Sequence, residues 1–406
     1  MAEQTRSQTD SPGALPGIDT QLFDPRVVAC PHAAYKSLRD TRPVSRNPLT
    51  GGVVIARYND VMWALKHPEV FSSAVESLSI GQKRPMIPLQ LDPPEQTRYR
   101  KILDPLFSRR MVLPLEPDMR DRASQLIAAF AERGQCDYNA EFAVPLPSAI
   151  FLALIGLPYE DLSAFLEIKD AILRPQVQTD DLAEAANLRD RAGQRSYDYF
   201  DKILDERERR PREDILSWML RAEVEGEKLT RDQILDICYL LLLAGLDTVT
   251  ATLDCFTAYL AANPDRRKQI VENPKLIDGA VEEMLRTETP VMMIVRFMKQ
   301  DCTLSGVHLK KGDNVVLLLG AADTDERFFE SSEAVDFERK SNRHLAFGAG
   351  PHRCLGSHLA RLELRIALEE FHKRIPDYRI KEGAELVYSP GIRQVLHLPL
   401  EFEARV

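Results

Sequence analysis

The sequence is poor in cysteine and has no cysteine pairs. Its six cysteines stand at 30, 136, 238, 255, 302 and 354, and no two form a CxxC unit. That spacing excludes a zinc ribbon and a disulfide framework, and it fits a reducing cytoplasm. Positive charge is also short. Against 62 Asp and Glu stand 53 Lys and Arg, a net charge of −9. Nucleic acid is therefore disfavoured as the main partner, because phosphate binding needs a basic face. No apolar run near the N-terminus has the length of a secretory signal, and residues 1–20 read as an unstructured tail. The uncharged run 142–159 is long enough to consider as a membrane anchor. Pro145, Pro147, Gly156 and Pro158 interrupt it, so it reads as a buried loop and a short core helix. No repeat or domain boundary shows after residue 20, and residues 21–406 read as one domain.

What is present is mostly helical. Tyr58 to His67, Pro94 to Phe107, Pro117 to Arg133 and residues 182–210 carry amphipathic patterns. A long helix starts near Thr230, a plausible N-cap, and runs to about Ala262 before Asn263-Pro264. Its middle is apolar on every face, which belongs in the centre of a large protein. Short strands are expected at 52–55, 302–304 and 314–318, with a β-rich tail over 386–402. The fold class is mainly α with a minor sheet.

The densest chemistry lies in Phe347-Gly-Ala-Gly350-Pro-His352-Arg-Cys354-Leu-Gly356. Leu355, Leu359, Leu362 and Ile366 then mark an amphipathic helix, so Cys354 sits at a helix N-terminus behind a tight loop. Backbone N–H groups and the helix dipole there favour a thiolate. Glycines let a flat ligand approach the backbone. A buried structural cysteine, a metal site with His352 and His358, and an axial thiolate to haem iron all fit these residues. Mid-helix, Ala244-Gly245-Leu246-Asp247-Thr248 breaks local rules. Glycine costs about 1 kcal/mol there relative to alanine, and an acid interrupts an apolar stretch. A helix kink is the plain explanation.

The cysteine segment resembles the ligand loop of the cytochrome P450 family, Phe-x-x-Gly-x-Arg/His-x-Cys-x-Gly. Phe347, Gly350, His352, Cys354 and Gly356 fall on its positions, and the likeness extends over about residues 20–404. The resemblance implies a single large haem domain of that fold, with haem b held through Cys354. It implies that Glu283 and Arg286 of Glu-x-x-Arg form a structural brace with Arg339. It implies that Gly245 leaves space for dioxygen beside the iron, with Ala244 alongside, and that Asp247 and Thr248 handle protons. Arg100, Arg296 and His352 become candidates to hold the propionates, with Gln96 where the family has His. Asp323 and Thr324 stand where the family commonly has Asn then Arg, and only local surface consequences are expected.

The implied reaction is monooxygenation: hydroxylation or epoxidation of a hydrophobic small molecule with O2. Thiolate ligation favours O–O cleavage. The sequence shows no flavin or iron–sulfur segment, so a ferredoxin with its reductase is the expected donor. The basic stretch 96–110, with Arg353 and Arg361, forms a candidate docking face. Gly81 to Pro85 reads as a mobile entrance loop with attracting cations. The expected pocket wall comprises residues 77–91, the 170s–190s, Leu89, Leu240, Leu243, Ala244, Met292, Ile294 and Ile392. A peroxide-using peroxygenase and a non-catalytic haem protein that binds a ligand remain as alternatives. No nucleic acid and no membrane anchor are expected, and the location is read as cytoplasmic.

Overall fold

The computed structural model describes residues 22, 24–46, 51–74, 80–175, 178–179 and 181–404. The tail expected at 1–20 and residues 77–79 of the expected pocket wall lie outside the described residues. Helices dominate. They include α1 (His32–Thr41), α2 (Tyr58–Lys66), α3 (Glu95–Leu106), α4 (Glu116–Ala131), α5 (Pro145–Ile155) and α6 (Leu162–Leu173). Further along come α7 (Leu182–Arg209), α8 (Arg231–Ala262), α9 (Ile277–Glu288), α10 (Leu319–Asp323) and α11 (Ser357–Arg374).

Helix α8 is the axis, and its start was legible. Thr230 accepts from the Gln233 backbone N–H, and Gln233 returns a bond to the Thr230 N–H. Two of the first-turn donors are thereby satisfied. Around α8 pack α5, α6, α7, α9 and α11. Among the described residues only α8 is long and apolar enough to cross a membrane, and most of that stretch is buried inside the protein. The run over 142–159 becomes α5. Pro145 and Pro147 occupy its first turn, where their missing N–H groups cost little, and Gly156 ends it at φ +79°.

The main sheet has five strands: β1 (Val44–Arg46), β2 (Val53–Ile55), β3 (Phe71–Ser72), β4 (Met293–Met298) and β5 (Asn314–Leu318). Their order is β1-β2-β5-β4-β3, with β2 and β5 parallel and the other pairs antiparallel. The expected β-rich tail is thinner than its composition indicates. It holds the strand Pro399–Phe402 and single bridges at Tyr388–Val395 and Val291–Ile392.

One expectation is overturned. Asp323 and Thr324 are not on the surface: both are buried, Asp323 completely. Where the family commonly carries a cation in the chain, this protein brings one from α1. Arg39, itself buried, bonds the Ala321 carbonyl at 2.8 Å and Thr324 Oγ1 at 3.0 Å, and Glu326 at 2.9 Å completes the pair.

Candidate active site

The cysteine loop is built by its glycines. Gly348 and Gly350 adopt φ of +64° and +68°, conformations L side chains rarely take. A Cβ on Gly350 would lie 2.3 Å from the Leu65 carbonyl, so only glycine lets the loop seat on the end of α2. The Cys354 N–H donates to the Phe347 carbonyl at 2.8 Å, closing the turn. Around Gly356 a Cβ would meet nothing within 4 Å, which leaves the face beside the cysteine open to a ligand. Cys354 itself is exposed, yet enough protein surrounds it that burial is the largest influence on its thiol. Burial pushes that thiol up and outweighs the Gly356 N–H and the arginines at 100, 361 and 353. A cation bound at the sulfur would favour the thiolate against that burial.

Behind the loop, Glu283 and Arg286 are fully buried and paired through two bonds of 2.8 and 2.9 Å. Arg339 joins at 3.0 Å, as expected, and so do Asn342 and the Asp336 N–H, which the sequence reading missed. Glu282 forms a second brace. It pairs with Arg361 of α11 at 2.6 Å and with His344 at 3.2 Å. Burial opposes these partners but does not prevail, and the Glu282 carboxyl is held down at about 2. Arg361 also covers the Phe347 ring at 4.5 Å. It is thus tied inward by two contacts, which leaves less of its charge to a docking face.

In α8, Ala244 is exposed and Leu240 and Thr248 are partly exposed, in a helix whose middle is otherwise buried except at Gly245. Spaced by four, they share one face, so an open stripe runs along the central helix. Thr248 Oγ1 donates to the Ala244 carbonyl at 2.9 Å, which leaves its lone pairs free to accept. Asp247 is buried and held by two cations missed in the sequence: Lys169 at 3.0 Å and Arg174 at 2.7 Å. Burial raises its carboxyl, but the two cations outweigh that and hold it below the ordinary range. The available signal was Lys169 itself, a lone cation beside Phe165, Ile168 and Ile172 on the buried face of α6. Gly245, expected to leave space for dioxygen, also meets a packing demand. A Cβ there would lie 2.3 Å from the Phe151 ring of α5, so helix packing demands the glycine.

The pocket expectations divide. Leu89 is exposed, while Leu240, Ile294 and Ile392 are half-buried. Met292 is not a wall residue; at 2% exposure it packs in the core with Val28, Tyr35 and Leu318. Leu243 is also buried and belongs to the core beside α8. Gly81 to Pro85 is not loose. Arg84 pairs with Asp236 at 2.8 Å, Lys83 lies 5.4 Å over the Tyr197 ring, and a Cβ on Gly193 would strike the Gly81 carbonyl at 2.1 Å. Its arginine is therefore spent on the fold.

Whether these residues fit a haem is tested by groups left without partners. His352 Nε2 is buried and makes no hydrogen bond. Arg296 is 7% exposed, and among the described residues its guanidinium bonds only to the neighbouring Val295 carbonyl. Burial drags Arg296 down to about 10 and His352 to about 4. Arg296 and Arg100 are among the charges acting on His352. A buried arginine with no ion pair among the described residues, beside a buried imidazole nitrogen with no hydrogen bond, awaits an anion, and a propionate would supply it. Gln96 does not belong with them: it is buried, and its amide donates to the Pro351 carbonyl at 2.7 Å, bracing the cysteine loop.

A cysteine on a glycine-built loop, an alcohol on an open helix face with a buried acid beside it, and an unpaired buried arginine and imidazole define a haem-thiolate oxygenase. The chain belongs to the cytochrome P450 family, whose profile matches residues 50–374. A probable cytochrome P450 127A1 of Sinorhizobium fredii is 36% identical over 371 residues, 89% of this chain and 87% of that protein. The mycinamicin IV hydroxylase/epoxidase of Micromonospora griseorubida is 32% identical, covering 90% of this chain and 94% of that protein. Among solved structures, CYP109E1 of Bacillus megaterium in complex with testosterone superposes with a TM-score of 0.86 at 27% identity, over 94% of this chain and 100% of that one. The chain is a monooxygenase with a haem-iron cofactor.

Proposed function

We propose that the chain binds haem b through Cys354 and inserts one atom of O2 into a C–H or C=C bond of a hydrophobic small molecule, in the cytoplasm, with electrons from a ferredoxin and its reductase. The open stripe of Leu240, Ala244 and Thr248 on a helix packed against α11 carries this reading. When bound, the haem supplies oxygen activation and the thiolate favours O–O cleavage. Arg296, His352 and Arg100 hold its propionates. Thr248, its own proton committed to Ala244, accepts and orients a hydrogen bond at the open face. Asp247 has both oxygens engaged, one by Lys169 and one by Arg174. A carboxylate held by two cations is a poor proton acceptor. Its role in proton delivery therefore requires one ion pair to give way to water. Leu240, Ala244, Ile294, Ile392 and Leu89 present an apolar surface that orients the substrate and excludes water.

The test is the difference spectrum of the reduced protein with carbon monoxide. A strongly red-shifted Soret band is expected, and Cys354→His should abolish it while haem is retained. Haem without that band in the unaltered protein refutes thiolate ligation. Turnover with a ferredoxin chain, compared with turnover on peroxide, separates the proposed donor from peroxygenase use.

A further inference from the structure

Asp323 ends α10 and is completely buried. Its Oδ1 accepts from the Leu345 N–H at 2.5 Å, and Leu345 opens the segment that leads through Phe347 to Cys354. Its Oδ2 lies 3.2 Å from Thr289 Oγ1 at the end of α9. Thr289 owns a single hydroxyl proton, and the Arg286 carbonyl is nearer, at 2.8 Å. The proton goes to the shorter bond. Thr289 then turns a lone pair towards Asp323, and two acceptors face each other unless Oδ2 is itself protonated. Thr289 also stands at φ +32°, where a β-branched residue is an outlier, so its surroundings hold it there.

We propose that Asp323 carries a proton on Oδ2, donates it to Thr289 and so fixes the start of the cysteine loop, making the loop's hold on the haem sensitive to pH. This rests on Cys354 being the haem ligand, and Asp323 acts as a positioning residue. Its burial supports the assignment: the carboxyl is pushed up to about 7 by burial, against the pull of His344, the Leu345 N–H and Arg286; a Thr289 hydroxyl would pull the same way only as a donor, and its proton goes to the Arg286 carbonyl. The charged and titratable groups around it are few. Arg286 of α9 donates to the Asp323 carbonyl at 3.0 Å and is otherwise paired with Glu283. His344 of the loop pairs with Glu282, and Tyr58 of α2 senses the Asp323 charge. Arg39 of α1 is held by Thr324 and Glu326. The sign follows. The folded state keeps a proton that the unfolded chain loses near 3.8, so the stabilisation is complete at low pH and disappears as pH rises through about 7.

The experiment follows the holoprotein from about pH 6 to about pH 8.5, reading the rate at which the red-shifted carbon monoxide band is lost and the thermal midpoint. Up to the transition the rate should climb with pH by up to about tenfold per unit and the midpoint temperature should fall; above it both should level off. Asp323→Asn keeps one donor for Thr289 and one acceptor for Leu345, so both readouts should lose this pH dependence. Thr289→Val keeps the shape and removes the acceptor. The transition should then move to lower pH; if it moves up, Thr289 donates to an ionised carboxylate and the proposal is wrong. An unaltered protein with no transition, or an Asp323→Asn variant with the original one, also overturns it, the latter in favour of His344. If Asp323→Asn does not fold, Thr289→Val decides. A protein lacking the band at every pH refutes Cys354 ligation instead, and the thermal midpoints still decide the role of Asp323.

Discussion

Asp247 shows how much one residue's chemistry depends on groups far away in the chain. Its place beside Thr248 was legible, because an acid in an apolar helix violates local rules. Its partners were not, because Lys169 and Arg174 come from α6 and the segment after it and nothing local links them to position 247. Asp247→Asn should lower ferredoxin-driven turnover by about a hundredfold, the usual scale for a lost proton-transfer group. It should also destabilise the fold, because Lys169 is left buried with its remaining partner Asp170 half-exposed. Thr248→Ala should reduce coupling of electron use to product while the carbon monoxide band stays. Steady-state product formation, electron consumption and thermal unfolding measured together check both variants.

At the scale of elements, the helices that a periodicity and a cap announce were recovered, and α8 is the clearest case. Contacts between helices were hidden. Gly245 was read as room for oxygen, and the ring of Phe151, on α5, adds a packing reason for the same glycine. A glycine forced by a neighbouring helix looks in sequence like one forced by a ligand. Gly245→Ala should therefore destabilise by about 1–3 kcal/mol through overpacking, and Phe151→Leu should recover part of that loss. Chemical denaturation of the two single variants and the double variant measures the coupling. Additive losses would return Gly245 to the oxygen-space reading. The Glu283 brace was legible only through its family pattern, since a Glu-x-x-Arg pair usually marks an exposed helix face.

At the scale of the whole molecule, the basic stretch 96–110 is less basic than its sum. Arg98 pairs with Glu227, Arg100 with Asp104, and Lys101 lies 3.6 Å from Glu225. Arg109, Arg110 and Arg353 are exposed and have no ion pair among the described residues; Arg109 and Arg353 both act on His358, so they lie near one another. Arg353→Glu and Arg109→Glu should slow reduction by an acidic ferredoxin, most strongly at low ionic strength, and leave peroxide-driven turnover unchanged. Stopped-flow reduction over a salt series checks this. The family and its helical class were visible in the sequence because the motifs span most of its length. Which charges remain free was not, since each depends on pairing across the fold. The Glu283 carboxylate has a last consequence, in time rather than space. It gathers Arg286, Arg339, Asn342 and the Asp336 amide across separations of up to 59 residues. Closing so long a loop is slow beside local helix formation. During refolding with haem present, helical ellipticity should therefore return first, and the ligand loop should capture its iron as a later kinetic phase.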